Sequence, residues 1–419
     1  MKRVLVLATT TGYQIRSFGE AAGKLGVRLA FASDRCDRLE DPWWDNAIPI
    51  RFYDEPGARD AIVDALRTTP PDGIIVVGDR PVAIAARVAE AFGLPGNPVA
   101  AAMASRNKLA SREALRAAGL TVPAFRAVSL ADDAEALART LKYPVVVKPL
   151  AMSGSRGVIK ADDPRQFVDA FDRLRALLAQ PDVRVERDPA HGQLLVESFV
   201  CGREFAVEGV LTDGTLQVLA IFDKPDPLDG PFFEETIYVT PSRQAQTTQD
   251  AIAAAVSAGA EAIGLRHGPV HAECRVNDGG VVLLEVAGRP IGGLCSKALR
   301  FAGVGGEASL EELLMRHALG EDVRGFARER QASAVMMIPI PERGVYRSVE
   351  GVDEAAQVRC VTDVRITAKP DALLVPLPEG RSYLGFIFAR AETPDAAEHA
   401  VRAAHAQLRF RIDRPIRVV

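Results

Sequence analysis

The first hundred residues constrain the fold most. Short apolar runs alternate there with helical patterns: VLVLA (4–8) then FGEAAGKLG, RLAFAS (28–33) then RDAIVDALRTT, GIIVVG (73–78) then PVAIAARVAEAFG. Strands alternating with helices predict a parallel sheet with helices on both faces. The first loop, TTTGYQ, lacks the G-x-G-x-x-G pattern, so a dinucleotide fingerprint is absent although the architecture is similar.

With 419 residues the chain is too long for one ordinary core, and two or three domains are expected. AAMASRNKLASREALRAAGLTVP reads as one helical pattern stopped by Gly119 and Pro123. Strands follow at YPVVVKP (143–149), QLLVESFV (193–200), EFAVEGVL (204–211) and LQVLAIF (216–222), with DGT (213–215) turning the last two. GPVHAECRVNDGGVVLLEVAGRP is a hairpin with its turn at DGG. ASAVMMIPI (332–340) opens a C-terminal segment that closes on a terminal helix. The class is α/β, with α+β parts.

Charge and cysteine usage exclude several functions. The formal net charge of −4 gives no electrostatic case for nucleic acid or an anionic membrane. No apolar stretch approaches the roughly 18 residues of a membrane span, and VLVLA is too short for a signal peptide. Cys36, Cys201, Cys274, Cys295 and Cys360 are scattered without a C-x-x-C pair. That suggests neither a zinc site nor a disulfide framework and fits a reducing cytoplasm. Cys295 has no histidine partner at useful spacing, so a cysteine nucleophile is not expected.

Three segments carry chemistry. LAMSGSRGV (150–158) places Ser153, Gly154 and Ser155 just after Lys148. Small side chains let backbone N–H groups approach phosphate, although the segment is not a P-loop and surface hairpins share its composition. LLVESFVCGRE places Glu197, Phe199, Val200 and Glu204 at strand edges. Such an edge can meet an adenine ring, and a carboxylate such as Glu204 can accept from ribose hydroxyls; two exposed glutamates on a sheet edge is the plainer alternative. Glu273 and Glu285 stand twelve residues apart on the two hairpin strands. Two carboxylates aimed at one point are costly without a cation between them, and Mg²⁺ with nucleotide phosphates satisfies that need. Arg289 keeps its charge and suits a developing phosphate.

Taken in order, these segments resemble the ATP-grasp superfamily over residues 1 to about 320. The resemblance implies a three-domain architecture: a pre-ATP-grasp domain (1–105), an ATP-grasp domain (106–325, divided into 106–192 and 193–325) and a C-terminal domain (326–419). Lys108 and Lys148 resemble the two nucleotide lysines, SGSRG the phosphate-covering loop, and ESFVCGRE the adenine and ribose hinge. Glu273 and Glu285 match the metal glutamates, with Glu285 and Arg289 as catalytic residues. Many members carry asparagine two residues after the second metal glutamate, where this chain has Ala287.

Within that superfamily the chain looks most like the L-amino-acid ligases, or dipeptide synthetases. Biotin-dependent carboxylases carry Gln-Val-Glu-His after the equivalent arginine, whereas Pro290-Ile291-Gly292-Gly293 stands here. FDKPDPLDGPFFEETIYVTPS (222–242) resembles the ligases' substrate segment, with Glu235 as the substrate glutamate and Tyr238 where a histidine often stands. Gly293, in place of a bulkier residue that closes the pocket in some relatives, then marks a roomy acceptor pocket, with Arg289 and Gly292 also expected to bind substrate. The resemblance implies an ATP- and Mg²⁺-dependent ligase, with Mn²⁺ as a substitute. It would join a small carboxylic acid to an amine or amino acid through an acyl phosphate, as a cytoplasmic homodimer. A carboxylase using bicarbonate, or a purine-pathway type of ligase using formate, is the alternative.

Overall fold

The computed structural model describes residues 1–9, 14–34, 47–303 and 306–414. Cys36 and residues 10–13 of the first loop lie outside the described residues. The N-terminal strands are β1 (Arg3–Ala8), β2 (Arg28–Ser33), β3 (Ile48–Pro49) and β4 (Gly73–Val77), all parallel in the order β3-β2-β1-β4. Side chains alternate across a strand, so β1 feeds two cores. Val4 and Val6 pack with Phe18 and Ala21 of α1 (Ile15–Leu25). Leu5 and Leu7 pack with Ile62 of α2 (Glu55–Leu66) and Ile84 of α3 (Val82–Phe92). Gly26 and Gly93 end α1 and α3 at φ 62° and 65°, left-handed geometry that glycine adopts without steric cost.

The single helix expected from residue 101 is two: α4 (Val99–Ser105) and α5 (Lys108–Ala117). Asn107 causes the break. Its side-chain oxygen accepts from the backbone N–H of Leu109 (3.0 Å) and Ala110 (3.2 Å), the local bond that makes asparagine a cap rather than a helix interior residue. Lys108 thereby becomes the first residue of α5. Gly119 ends that helix at φ +76°, as expected.

Two antiparallel sheets follow. The smaller holds β5 (Phe125–Ser129), β6 (Val145–Pro149), β7 (Ile159–Ala161) and β8 (Gln193–Ser198), in the order β5-β8-β6-β7. The larger begins with β9 (Arg203–Thr212), β10 (Thr215–Asp223), β11 (Ile237–Thr240), β12 (Gly268–Asn277) and β13 (Gly280–Ala287). It runs β13-β12-β9-β10-β11 and continues without interruption into Ala332–Ile338, Gly385–Ala391 and Val361–Ile366. The helix Gln246–Ile263 covers one face of this sheet, packing Ile252 and Val256 with Phe205, Val207, Ala272 and Cys274. The alternate residues Glu204, Glu208, His271, Glu273 and Arg275 are therefore left to the opposite face.

Among the described residues the C-terminal segment does not close on a helix. After Pro394–His405 it forms a last strand, Arg409–Asp413, paired with Gly344–Glu350. RFRID hides its strand character behind arginines, while Phe410 and Ile412 pack on the C-terminal core. Among the described residues no helix is long and apolar enough to cross a membrane.

Candidate active site

A cleft of about 330 Å³ collects residues from every part of the chain. Lys148 and the Ser153–Ser155 loop line it from the smaller sheet, and Glu204, Glu273 and Glu285 from the larger one. Gly78 and Asp79 enter from the end of β4, and Arg381 and Tyr383 from the C-terminal segment. Every site residue expected from the sequence lines this cleft: Lys108, Lys148, Ser153, Gly154, Ser155, Glu197, Phe199, Val200, Glu204, Glu235, Tyr238, Glu273, Glu285, Arg289, Gly292 and Gly293.

On the smaller sheet the charges are closely paired. Glu197 is 3% exposed and lies between the Arg112 guanidinium of α5 and the Lys148 ammonium of β6. Burial alone would raise its pKa, but Arg112 and then Lys148 outweigh burial, and the value falls to about 2. Arg112 also donates to Leu284 O (2.7 Å), which ties α5 to β13. Glu197 is thus a counter-ion that fixes Lys148. The Ser153–Ser155 loop turns through left-handed backbone at Gly154 (φ 64°) and Ser155 (φ 55°). Lys108 reaches this loop and donates to Met152 O (2.5 Å). Phe199 stacks on Phe233 with ring centres 6.3 Å apart, giving the cleft a flat apolar wall.

On the larger sheet β12 and β13 are in register with Glu273 opposite Glu285. Among the described residues the Glu285 carboxylate has only distant cations, Arg289 at 3.7 Å and Lys108 at 4.0 Å. A facing carboxylate pair on the cleft, one of them with no close donor, fits a hard divalent cation and nucleotide phosphates. Ala287 brings no ligand atom; its cross-strand partner is His271.

Glu273 belongs equally to a second group. Oxygens of Glu204, Glu235 and Glu273 lie within 4.8 Å of one another. The Lys224 ammonium fills the space between them, 2.8 Å from Glu204, 2.9 Å from Glu273 and bonded to Glu235. Arg275 takes the other oxygen of Glu204 (2.9 Å). Three carboxylates share this lysine, so Glu235 is incompletely compensated. Burial pushes its pKa up, Lys224 opposes, Glu273 adds to the rise, and the result is about 7. Tyr238 donates its hydroxyl to Glu235 (2.7 Å).

Arg289 is held across the molecule. Its Nε donates to Asp79 Oδ1 (2.5 Å) on the loop after β4, where parallel strands present their ligand-facing ends. Glu208 of β9, 1% exposed, pairs with His271 of β12 and accepts from Ile291 N (3.1 Å), joining these strands to the Arg289 loop. Burial disfavours the charged imidazole of His271, but Glu208 overrides it and raises its pKa to about 9.

Lys224, Asp79, Glu208, His271 and Arg112 were not among the expected site residues. The readable signal lay in β12, where His271, Glu273 and Arg275 alternate with apolar residues. An exposed strand face gives the same pattern, and only the larger sheet's burial turns it into a cleft wall. The expected roomy pocket has its open space at Gly292, where an added β-carbon would meet nothing within 4 Å. At Gly293 (φ +63°) it would meet Phe386 at 3.3 Å.

Three family models match successive parts of the chain: an ATP-grasp N-terminal domain (residues 19–96), an ATP-grasp domain (141–298) and an L-amino acid ligase C-terminal domain 2 (336–413). The crystal structure of an L-amino acid ligase from Bacillus licheniformis superposes with a TM-score of 0.84 at 26% identity, covering 99% of each chain. The uncharacterized protein y4rH of Sinorhizobium fredii is 25% identical over 419 residues, covering 96% of this chain and 82% of its own. The alanine–anticapsin ligase of Bacillus subtilis is 27% identical over 244 residues, which is 55% of this chain and 49% of that enzyme, so the chain spans about half of this named relative. The chain belongs to the ATP-grasp superfamily, as an ATP-dependent C–N bond-forming ligase related to the L-amino-acid ligases.

Proposed function

We propose that this protein activates a carboxylic or amino acid as an acyl phosphate and passes the acyl group to an amine, releasing ADP and phosphate. The observation that carries this reading is the convergence of Glu285, Arg289 and Lys108 within 4.0 Å, beside a loop able to cover phosphate. Arg289 cannot be deprotonated, and Asp79 fixes its plane toward the site. It would stabilise charge as the substrate carboxylate attacks the γ-phosphate of ATP. Lys108 and Lys148 would bear on the phosphates, and Phe199 and Val200 on the adenine side. Mg²⁺, which Mn²⁺ would replace, would sit at Glu273 and Glu285 and supply charge neutralisation between the phosphate oxygens. An amine must shed a proton before it displaces phosphate, and a carboxylate with a pKa of about 7 such as Glu235 is matched to receiving it.

The remaining parts of the proposal are domain limits at 105/106 and 325/326, a homodimer and a cytoplasmic setting. The test is phosphate release with ATP, Mg²⁺ and a matrix of amino-acid pairs, with product masses read out. A product heavier than either acid by the other less one water is expected. Phosphate release with bicarbonate alone, and with no amino-acid pair, would favour the carboxylase reading instead.

A further inference from the structure

Ser153–Ser155 runs on into Arg156 and Gly157, and both of these are bonded to the C-terminal segment. Gly157 N donates to Pro378 O (2.8 Å). The buried Arg156 donates through Nε to Glu379 O (2.9 Å), a residue 223 positions further along the chain. Its Nη2 donates to Asp182 (2.9 Å), which keeps the guanidinium turned toward that carbonyl. The backbone acceptors that fix this end of the loop beside Lys148 are therefore supplied by the C-terminal segment.

Glu379 is itself held from the smaller sheet. Arg173, on the helix Pro164–Leu178, donates through Nε and Nη2 (2.9 Å) to the two oxygens of the Glu379 carboxylate. A planar guanidinium that meets a carboxylate through two bonds fixes direction as well as distance. The same guanidinium lies over the ring of Phe232, 4.9 Å from its centre. Phe232 precedes Phe233, which lines the cleft, and their segment runs beside β7, where Lys160 N donates to Pro231 O (2.9 Å). Arg173 thus joins its own helix, the 222–242 segment and the C-terminal loop. The C-terminal loop is rigid where it meets Arg173. Gly380 N bonds Pro376 O (2.9 Å), and a β-carbon at Gly380 would lie 1.8 Å from Val375 O, so only glycine permits this turn. Arg173 lies on the surface, with 44% of its side chain exposed, and an ion pair there adds little to the stability of the fold. Its consequence is positional. The Glu379 side chain answers to Arg173 while its carbonyl answers to Arg156, so one residue carries the placement of the helix into the loop.

We propose that Arg173 and Glu379 are positioning residues, whose ion pair seats the C-terminal loop so that its carbonyls hold Ser153–Gly157 against the terminal phosphate of ATP. This rests on the ligase reading above, which takes the same loop to cover phosphate. The test is equilibrium binding of ADP and of a non-hydrolysable ATP analogue, each with Mg²⁺, to wild type, Arg173→Met, Glu379→Met and the double variant. Each single variant should lose about fivefold in affinity for the analogue relative to ADP, the scale of one good ion pair, with a melting temperature close to wild type. The double variant should lose no more than either single one, because the same pair is broken once. An unchanged analogue-to-ADP ratio in both single variants overturns the proposal. So do additive losses, which would mean that the two residues act apart. So does an equal loss for both nucleotides with a lowered melting temperature, which marks a purely structural pair. Amide formation by wild type separates the two ideas. A ratio that depends on the pair, with no amide product, removes the ligase reading and keeps the positioning role; amide formation with the ratio intact in the single variants does the reverse.

Discussion

Glu197 is buried and Glu235 half-buried in one cleft, and both are bonded to a lysine, yet their acidities move in opposite directions, to about 2 and about 7. Burial raises both. The difference is the ratio of charges. Glu197 has two cations to itself, Arg112 and Lys148, whereas Glu235 shares Lys224 with Glu204 and Glu273. One end of the cleft therefore holds a fixed ion array that aims a lysine into the cleft. The other holds an under-neutralised cluster whose proton occupancy changes near neutral pH. Chemistry that needs a rigid anion clamp and a proton acceptor a short distance apart can be built from the same residue types by varying only their ratio.

Glu285 and Arg289 stand between these two ends, and the largest effect is expected there. Glu285→Ala should lower phosphate release by at least a hundred- to a thousandfold, the scale seen when one group acting on transition-state charge is lost. Its melting temperature should stay close to wild type, because among the described residues the Glu285 carboxylate has no ion pair shorter than 3.7 Å to lose. Wild-type turnover in this variant would remove Glu285 from the site.

The next pair of variants sets the two ends against each other. Arg112→Met leaves Glu197 with Lys148 alone, and breaking a buried pair in this way costs about 3–5 kcal/mol. Wild-type Glu197, depressed from 4.5 to about 2, contributes stability that is present above 4.5 and lost as pH falls through 2. The variant should show less of that acid-side loss. Lys224→Met has the opposite sign. Three carboxylates without their cation take up protons more readily in the folded state, so the variant should be weakest at alkaline pH and recover as pH falls. Denaturant midpoints across pH read both slopes, and parallel curves for the two variants would remove the distinction.

The sequence foretold much of this arrangement. The alternation in residues 1–100 predicts the parallel sheet, and apolar runs predict β6, β8, β9 and β10. The DGG turn places both glutamates on one hairpin, but its register alone would set Glu273 opposite Leu284; a one-residue shift between Glu273 and Cys274, which the turn does not reveal, brings Glu285 opposite. What could not be read was which cation meets which anion. Lys224 lies 20 residues after Glu204 and 49 before Glu273, and only the pairing of β9 with β10 and β12 brings the three together. Asp79 reaches Arg289 across 210 residues for the same reason. The helix break at Asn107 was readable from its capping chemistry and was masked by the strong helix formers on either side.

A smaller effect is expected from Glu235→Gln in metal-free protein. In the wild type the folded-state pKa of about 7 exceeds the ordinary 4.5. The favourable contribution of the protonated form is thus fully present below 4.5 and lost as pH rises through 7. The variant cannot ionise there, so its stability should gain on wild type steadily across that window and level off above it. A constant difference from pH 4.5 to about 8 would mean that Glu235 is already ionised at the acid end.

The smallest effect concerns the two glycines that end the Arg289 loop. Gly292 has open space around its would-be β-carbon, whereas Gly293 combines φ +63° with Phe386 at 3.3 Å. A bulky residue at Gly293 strains the backbone before it can shape the pocket, so Gly293→Trp reports stability and specificity together. Gly292→Leu separates them. It should leave the denaturant midpoint within about 0.5 kcal/mol of wild type, as a substitution into free space does. It should lower kcat/KM for the largest acceptors by about tenfold relative to the smallest, the usual return for one or two methylene groups of pocket volume. An unchanged ratio between large and small acceptors would place the acceptor side chain away from Gly292 and leave Tyr383 as the wall it meets.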